Sequence, residues 1–525
     1  NAGTLAVNGI FGDTVGNAAT VNVTAGGTLQ GAGTIRGSVV VANGGIVGAG
    51  NSPGTLTVAG DYTLNNASIS NFELNTPGFV NGLTNDLIVV GGNLTLDGQV
   101  NLINANLSGY YRLFNYGGTL TDNGTTVTAT NGTATILTNI SQQVNASVSL
   151  GGQLVQFWDG ADQTGNPGNS GGGAINGGTG TWNATNTNWT QAPNFGVNDQ
   201  WRSQVGVFAG AAGTVTVVGT QSFQGLQFST TGYTVTGGAL QMTGNPTVNP
   251  NASFIIVDPG VTATIASTIS GSAANIGLDK EGNGTLVLSG ANTYTGTTTI
   301  NAGTLEVQGG AAIVDTGAVV IANVAGATLA VTNSETIGSL AGGGTTGGGV
   351  TIATGQVLTT GNASNTTFAG NISGAGGLTK QGTGVFTLSG TNTYGGTTTI
   401  NAGTLEVQNG AAILDTGAVT IANVAGATLL VTNSETIGSL AGTGPNGTVT
   451  IANAQTLTTG GNNASTTFGG TIGGAGGLTK QGTGVFTLSG SNTYGGTTTI
   501  NAGTLEVQNG AAILDTGAVT IANVA

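Results

Sequence analysis

The chain has 525 residues, of which 100 are glycine and only 5% are charged, while 38% are hydrophobic. Disordered chains pair low hydrophobicity with high charge, so this balance points instead to many short strands joined by tight turns. Cysteine and histidine are absent, which removes disulfides, thiolate nucleophiles, Cys/His metal sites and imidazole acid–base chemistry. Six basic residues stand against twenty acidic ones, for a net charge of −14. No positive stripe is available to neutralise phosphates or anionic lipid heads, and no nucleic-acid partner is expected. No run of eighteen apolar residues occurs, so no transmembrane helix or direct membrane insertion is expected in this segment. The opening Asn1-Ala-Gly-Thr-Leu5 lacks the zones of a signal peptide, which reads as a processed chain or a slice of a longer polypeptide.

In chain order, residues 1–155 read as a first solenoid stretch. It contains Gly48-Ala-Gly-Asn-Ser-Pro-Gly-Thr-Leu-Thr-Val-Ala-Gly-Asp-Tyr-Thr63 and Asp86-Leu-Ile-Val-Val-Gly-Gly-Asn-Leu-Thr-Leu-Asp-Gly98. Residues 156–250 form a second stretch that holds all four tryptophans, Trp158, Trp182, Trp189 and Trp201, beside Phe208 and Tyr233. Residues 251–525 form a third, and there the chain aligns with itself. Asn292-Thr-Tyr-Thr-Gly-Thr-Thr-Thr-Ile-Asn-Ala-Gly-Thr-Leu-Glu-Val307 returns with one change at Asn392 and again at Asn492, an offset of 100 residues. Between the last two copies, residues 374–425 and 474–525 differ only at Thr391 against Ser491, which reads as a unit free of insertions.

Inside one unit, apolar pairs alternate with polar residues at Phe386/Leu388, Thr398/Ile400, Leu405/Val407, Val419/Ile421, Leu429/Val431 and Val449/Ile451. Period-two alternation bounded by Gly, Asn, Thr and Ser is the pattern of strands and turns. Short strands of this kind bury their inner faces only when successive coils stack on one another. The expected fold is all-β, an elongated right-handed parallel β-helix (β-solenoid) built from stacked short strands. At ~20 residues per coil a unit is about five coils, and at ~4.8 Å per coil the chain makes a rod of roughly 120 Å. Leu405 and Val407 should point inward and Glu406 outward. Glycine supplies the positive φ of tight corners, and asparagine amides are suited to ladders along the axis.

The segment Gly384-Val-Phe-Thr-Leu-Ser-Gly-Thr-Asn-Thr-Tyr-Gly-Gly-Thr-Thr-Thr-Ile-Asn-Ala-Gly-Thr-Leu-Glu-Val407 closely resembles the autotransporter-associated β-strand repeat of passenger domains in bacterial type V secretion. The Gly48–Thr63 and Asp86–Gly98 stretches resemble the part of such passengers that approaches the membrane barrel. The stretch from Trp158-Asp-Gly160 through Gly180-Thr-Trp182 and Trp189 to Gly206-Val-Phe208 and Gly232-Tyr-Thr-Val-Thr-Gly237 is similar to the start of those passengers. An end-like stretch therefore precedes a start-like one, an order that suggests concatenated modules or one module of a longer fibre. The resemblance implies export to the outside or outer surface of a Gram-negative cell, with roles in adhesion, aggregation or biofilm.

Several side chains are candidates for more than scaffolding. Lys280, Lys380 and Lys480 hold one position of the unit and, with Glu306, Glu406 and Glu506, read as repeated surface charges. As exposed groups they contribute little energetically. Asp315, Asp415 and Asp515 invite a calcium reading, but the glycine–aspartate nonapeptide of calcium-bound β-rolls is missing; no metal or cofactor is expected. Trp158, Trp182, Trp189 and Trp201 are the candidate glycan or partner contact, or else pack a wider coil. Asp159 and Asp162 would be the acids of a polysaccharide-cleaving β-helix, yet nothing in the sequence splits their environments as hydrolysis requires. Thr297-Thr-Thr299 and Thr397-Thr-Thr399 are reminiscent of ice-binding solenoids; in sequence these runs occur once per unit, not on every coil.

The expected function is an extracellular structural and adhesive stalk or fibre segment that is not an enzyme. Its expected partners are copies of itself, end to end or side by side, and surface glycans or other cells. The alternatives are a repeating subunit of an end-to-end filament, motivated by Asn1–Leu5 matching Asn501–Leu505, and a polysaccharide-degrading enzyme.

Overall fold

A computed structural model describes residues 2–12, 20–50, 53–77, 84–138, 140–162, 175–191, 198–508 and 510–522. The described residues are strand and turn without helix, so none forms a helix long and apolar enough to cross a membrane. Asn51 and Ser52 of the Gly48–Thr63 motif, and the terminal Asn1, lie outside the described residues. The chain divides into two compact bodies, Asn1–Leu286 and Val287–Ala525. Each is a β-solenoid dominated by parallel strand pairing.

The first body starts as a three-walled parallel stack. One wall runs through Thr28–Gly31, Ile46–Ala49, Ile69–Glu73 and Gln99–Ile103, a second through Thr55–Val58, Leu87–Val90 and Gly109–Tyr116, and a third through Val39–Val41, Tyr62–Leu64 and Leu94–Leu96. Alternation places Leu29, Val47, Phe72, Val100, Leu56, Ile88, Val41 and Leu94 in the core, each at most 1% exposed. On the outer face Asn101 donates to Asn71 one coil away at 3.0 Å, an amide ladder of the kind expected.

The parallel stack is then interrupted. Gln143–Leu150 pairs antiparallel with both Gly109–Tyr116 and Gly132–Leu137, and this antiparallel layer ends the first hydrophobic core. A second core begins with Val155–Trp158, which pairs antiparallel with Trp189–Gln191 and parallel with Val205–Phe208. Buried amides knit the two cores together: Gln227 accepts from the Tyr110 backbone N–H at 2.8 Å and donates to the Tyr110 carbonyl at 2.9 Å. Parallel stacking resumes through Gly225–Phe228 and Ala252–Val257.

The second body has three walls whose order can be followed strand by strand. Wall A runs through Ala318–Ile321, Ser339–Gly342, Thr366–Phe368, Val385–Leu388, Thr404–Val407, Thr428–Val431, Thr448–Ile451 and Thr471–Gly474. Wall B runs through Thr304–Val307, Thr328–Val331, Gly349–Ile352 and Asn371–Gly374, and later through Glu435–Ile437, Thr456–Thr459, Gly477–Lys480, Thr498–Ile500 and Val519–Ile521. Wall C holds Glu335–Ile337, Val357–Thr360, Gly377–Lys380, Thr398–Ile400, Ala418–Ile421 and Ser439–Ala441. All six apolar pairs read from the sequence are buried to 2% exposure or less, and Leu405 and Val407 face inward with Glu406 on the outside.

Two details of the repeat differ from the sequence reading. Ala318–Ile321 lies on wall A, but its copy 100 residues on, Ala418–Ile421, lies on wall C. Between them the chain visits the walls in rotation, through twelve strands and two strandless arms at 392–395 and 411–413. That is fourteen steps, and 14/3 gives 4⅔ coils in place of five, because register partners are 19 to 26 residues apart, as in Phe386 with Leu405 and Gly342 with Phe368. Each repeat therefore presents its surface one wall further round. The unit is also not free of insertions. Gly349–Ile352 corresponds to Thr448–Ile451, an offset of 99, and the 100-residue offset is restored at Thr366 and Thr466; both changes fall in turns, where the walls tolerate them.

Corners are built for close approach. A Cβ on Gly390 would stand 1.9 Å from the carbonyl oxygen of Gly370, and one on Gly490 2.0 Å from that of Gly470, so only glycine lets successive coils stack there.

Candidate functional site

The outward threonines of the second body form rows. On wall C, Thr336, Thr359, Thr379, Thr399 and Thr420 stand in strict register. On wall B, their counterparts Thr436, Thr458, Thr479, Thr499 and Thr520 do the same. The tandem Thr397-Thr-Thr399 thus belongs to an array that does recur on every coil of its wall section. Sequence reasoning missed it because the other members sit singly in unrelated-looking strands. The row exists only once the register is known.

The side-chain hydroxyls of the ladder threonines make no hydrogen bond among the described residues, and all but the exposed Thr520 are half-buried. A third row on wall A behaves differently. There Thr428 and Thr448 bond to each other at 2.6 Å, and Thr428 also donates to the Gly426 carbonyl.

On the inner faces of two ladder strands lie Lys380 and Lys480, two of the charges read as surface groups. Lys280, Lys380 and Lys480 are 0%, 1% and 1% exposed, which overturns that reading. Period-two alternation puts Lys380 on the inner face with Leu378, and its stem packs in the core while Nζ reaches a corner. The Lys380 ammonium donates to the carbonyls of Gln381 at 2.8 Å, Gly382 at 2.9 Å and, one coil on, Ala402 at 3.1 Å. Lys480 repeats this with Gln481, Gly482 and Ala502, and Lys280 donates to Glu281 and Gly282. Burial pushes Lys280 down to about 7, Lys380 down to about 8, and Lys480 down as well. These lysines clamp corners and offer no cationic contact to a partner.

Glu306 and Glu406 do sit at the surface, half-buried, and Glu506 is exposed. Glu406 accepts from Thr387 at 2.8 Å and Gln408 at 2.9 Å. Two other acids, Glu335 and Glu435, were not singled out from the sequence and are each 2% exposed. Wall B has no strand at 392–395 or 411–413, and side chains replace the missing ladder there. Asn392 accepts from the Ile372 N–H at 2.7 Å and donates to the Ala412 carbonyl at 2.8 Å, and Glu435 accepts from the Ile413 N–H at 2.7 Å. Burial pushes Glu335 and Glu435 up to about 7 despite the backbone N–H bonds that favour their charged forms, with Asp315 and Asp415 adding to the rise.

The tryptophans are buried in the first body: Trp158, Trp182 and Trp189 are 0% exposed and Trp201 8%. They are not available as a glycan or partner platform. Trp189 lies 4.4 Å from Trp201, 5.1 Å from Trp182 and 5.3 Å from Trp158 between ring centroids, and Phe208 stacks on Phe228 at 4.7 Å. Aromatic packing on this scale fills the wide coil where strand direction changes. Asp159 is 3% exposed, and its carboxylate accepts the Asn176 backbone N–H at 2.9 Å; burial raises its pKa. It holds a turn. Among the described residues no three acids come together as a cation site.

The chain matches the family described as passenger-associated-transport-repeat at residues 278–307, 378–407 and 478–507. Each match spans a buried lysine, the Asn–Thr–Tyr arm and the strand that carries the outer glutamate. Over 281 residues, 52% of this chain, it is 37% identical to the adhesin BmaC autotransporter of Brucella suis biovar 1 (strain 1330). The match spans 8% of that relative's length. No solved structure matches the chain. The chain thus carries three passenger-associated-transport-repeats on a parallel β-solenoid and is similar over half of its length to part of an autotransporter.

Proposed function

We propose that this chain serves outside a Gram-negative cell, secreted or displayed at its surface, as a non-enzymatic stalk that holds and contributes adhesive surface. The single observation that carries the reading is the regular parallel stack of passenger repeats, in which the acids and lysines are distributed one set per 100 residues. A scaffold repeats its features this way, whereas an active site gathers them once. The kinship with a protein named as an adhesin supports the adhesive part. The burial of all four tryptophans and of Asp159 speaks against an aromatic platform and supports a reading in which the repeated walls carry the adhesive surface.

Antibodies raised against residues 287–525 test this on the producing cells. They should label intact cells or the medium, and brief external protease should remove the cell-bound signal. Deleting these residues in frame should lower attachment to host or abiotic surfaces. Label confined to the cell interior, or attachment unchanged by the deletion, would contradict the proposal.

A further inference from the structure

We infer that the first body carries a hinge between Leu150 and Val155, where two rigid stacks of coils dock through a separable face and swing about the pair Gly151–Gly152. Among the described residues no strand before this point pairs with a strand after it, and no backbone-to-backbone bond joins residues 2–150 to residues 155–286. On either side, neighbouring strands share backbone ladders. The chain crosses the face through Gly151 and Gly152, both exposed and both at positive φ, 57° and 75°. A glycine pair gives the crossing two residues with the widest choice of backbone angles, and hinges concentrate their change of angle in such short segments.

Side chains hold the face closed. The buried Gln227 bonds both ways with the Tyr110 backbone. Gln153 accepts from the Ser108 hydroxyl at 2.7 Å and donates to Gln224 at 2.6 Å and to Asn245 at 3.0 Å, while Gln204 accepts from the Leu154 N–H at 2.6 Å. Arg112 on one side and Asp258 on the other attract each other. The Tyr110 ring meets Phe157 edge-on at 5.6 Å, inside an apolar cluster to which the first stack gives Leu107, Tyr110 and Leu137. An aromatic anchor accompanied by amides is how a docked protein–protein interface is built, and faces of that kind within one chain permit relative motion. Opening the face hands the amides to water, so each bond lost costs little net, and the ladders on both sides stay whole. In a stalk such a hinge yields to sideways load before any coil unzips. The inference concerns the chain itself and holds wherever it is displayed, so its failure leaves the stalk reading untouched.

Two measurements on the full 525-residue chain test the hinge. The chain has no cysteine, so spin labels go only where they are introduced: Thr128→Cys/Thr216→Cys across the hinge and Asn43→Cys/Thr128→Cys within the first stack, all at exposed positions. The pair across the hinge should give a broad distance distribution and the pair within the stack a narrow one. Hydrogen exchange followed by mass spectrometry reads the wild type without any substitution. The Tyr110 and Leu154 amides should exchange together, at least about tenfold faster than the ladder amides of Leu87–Val90 and Thr234–Met242, because a sub-global opening frees them first. Gln227→Ala should speed exchange at Leu154, whose N–H bonds to Gln204, by about tenfold as well, and leave Leu87–Val90 unchanged. Equal widths for the two label pairs, exchange at Tyr110 and Leu154 as slow as in the ladders, or a Gln227→Ala effect confined to Tyr110 would overturn the inference.

Discussion

The first body and the repeats solve the same problem, holding coils in register, by different means. Around residues 155–208 the strands reverse direction, and the coil is held by a cluster in which Trp158, Trp182, Trp189, Trp201 and Phe208 pack edge to face. At 287–525 the buried rings are Tyr294, Tyr394 and Tyr494 and the phenylalanines Phe368, Phe386, Phe468 and Phe486, spread along the repeats. There the breaks in wall B are bridged by Asn392 and Glu435, and corners are clamped by Lys380. A unique interruption is stabilised by bulk apolar burial that occurs once. A repeated interruption is stabilised by small sets of directional bonds that can be copied every 100 residues without disturbing the wall.

That contrast can be broken at several points. The largest effect is expected for Trp189→Ala, which opens a cavity at the centre of the aromatic cluster and should cost about 3–5 kcal/mol. Thermal unfolding followed by tryptophan fluorescence should show an early transition for the first body, while the strand signal of the repeats melts as before. A single transition shifted as a whole would mean that the two regions do not differ as argued.

Next is Glu435→Ala, which strands the Ile413 N–H without its acceptor in a buried arm and should cost about 1–3 kcal/mol. Glu435→Gln keeps a carbonyl acceptor and should lose less than half of that in urea denaturation. Equal losses would assign the role of Glu435 to packing.

The pH dependence follows from the same residues. Glu335 and Glu435 stand at about 7 against an ordinary value of 4.5, so between these values the folded state binds more protons than the unfolded chain. Their contribution is complete below about pH 4.5 and is lost as pH rises through 7. Glu335→Gln/Glu435→Gln should flatten the stability profile between pH 5 and 7, read as midpoint shifts in urea. A profile of unchanged slope would contradict the assignment. The smallest effect belongs to the outer wall: Glu406→Ala removes bonds from Thr387 and Gln408 at a half-exposed site and should change stability by no more than about 0.5 kcal/mol.

Much of this was legible in the sequence. Alternation at Leu405 and Val407 set the strand faces, and the repeated segment ending at Val407 pointed to the passenger repeat that the family model matches. The buried charges were equally written there, since Lys380 alternates with Leu378 and Glu335 with Ile337. The lysines were misplaced because charge was weighed above period, although three carbonyls can satisfy a buried ammonium, and Glu335 and Glu435 were passed over. The ladders and the 4⅔-coil advance were not readable. Both depend on coil lengths that vary from 19 to 26 residues, and on arms that continue a wall without being strands.

The advance of the repeat by one wall is the claim on which the fold account stands. It is tested most directly by the distance between spin labels at Thr399→Cys and Thr499→Cys. With 4⅔ coils the labels sit on walls C and B and point in different directions, so the distance should clearly exceed the ~24 Å that five stacked coils would give on one wall. A narrow distribution centred near that shorter value would place both residues on the same wall and contradict the account.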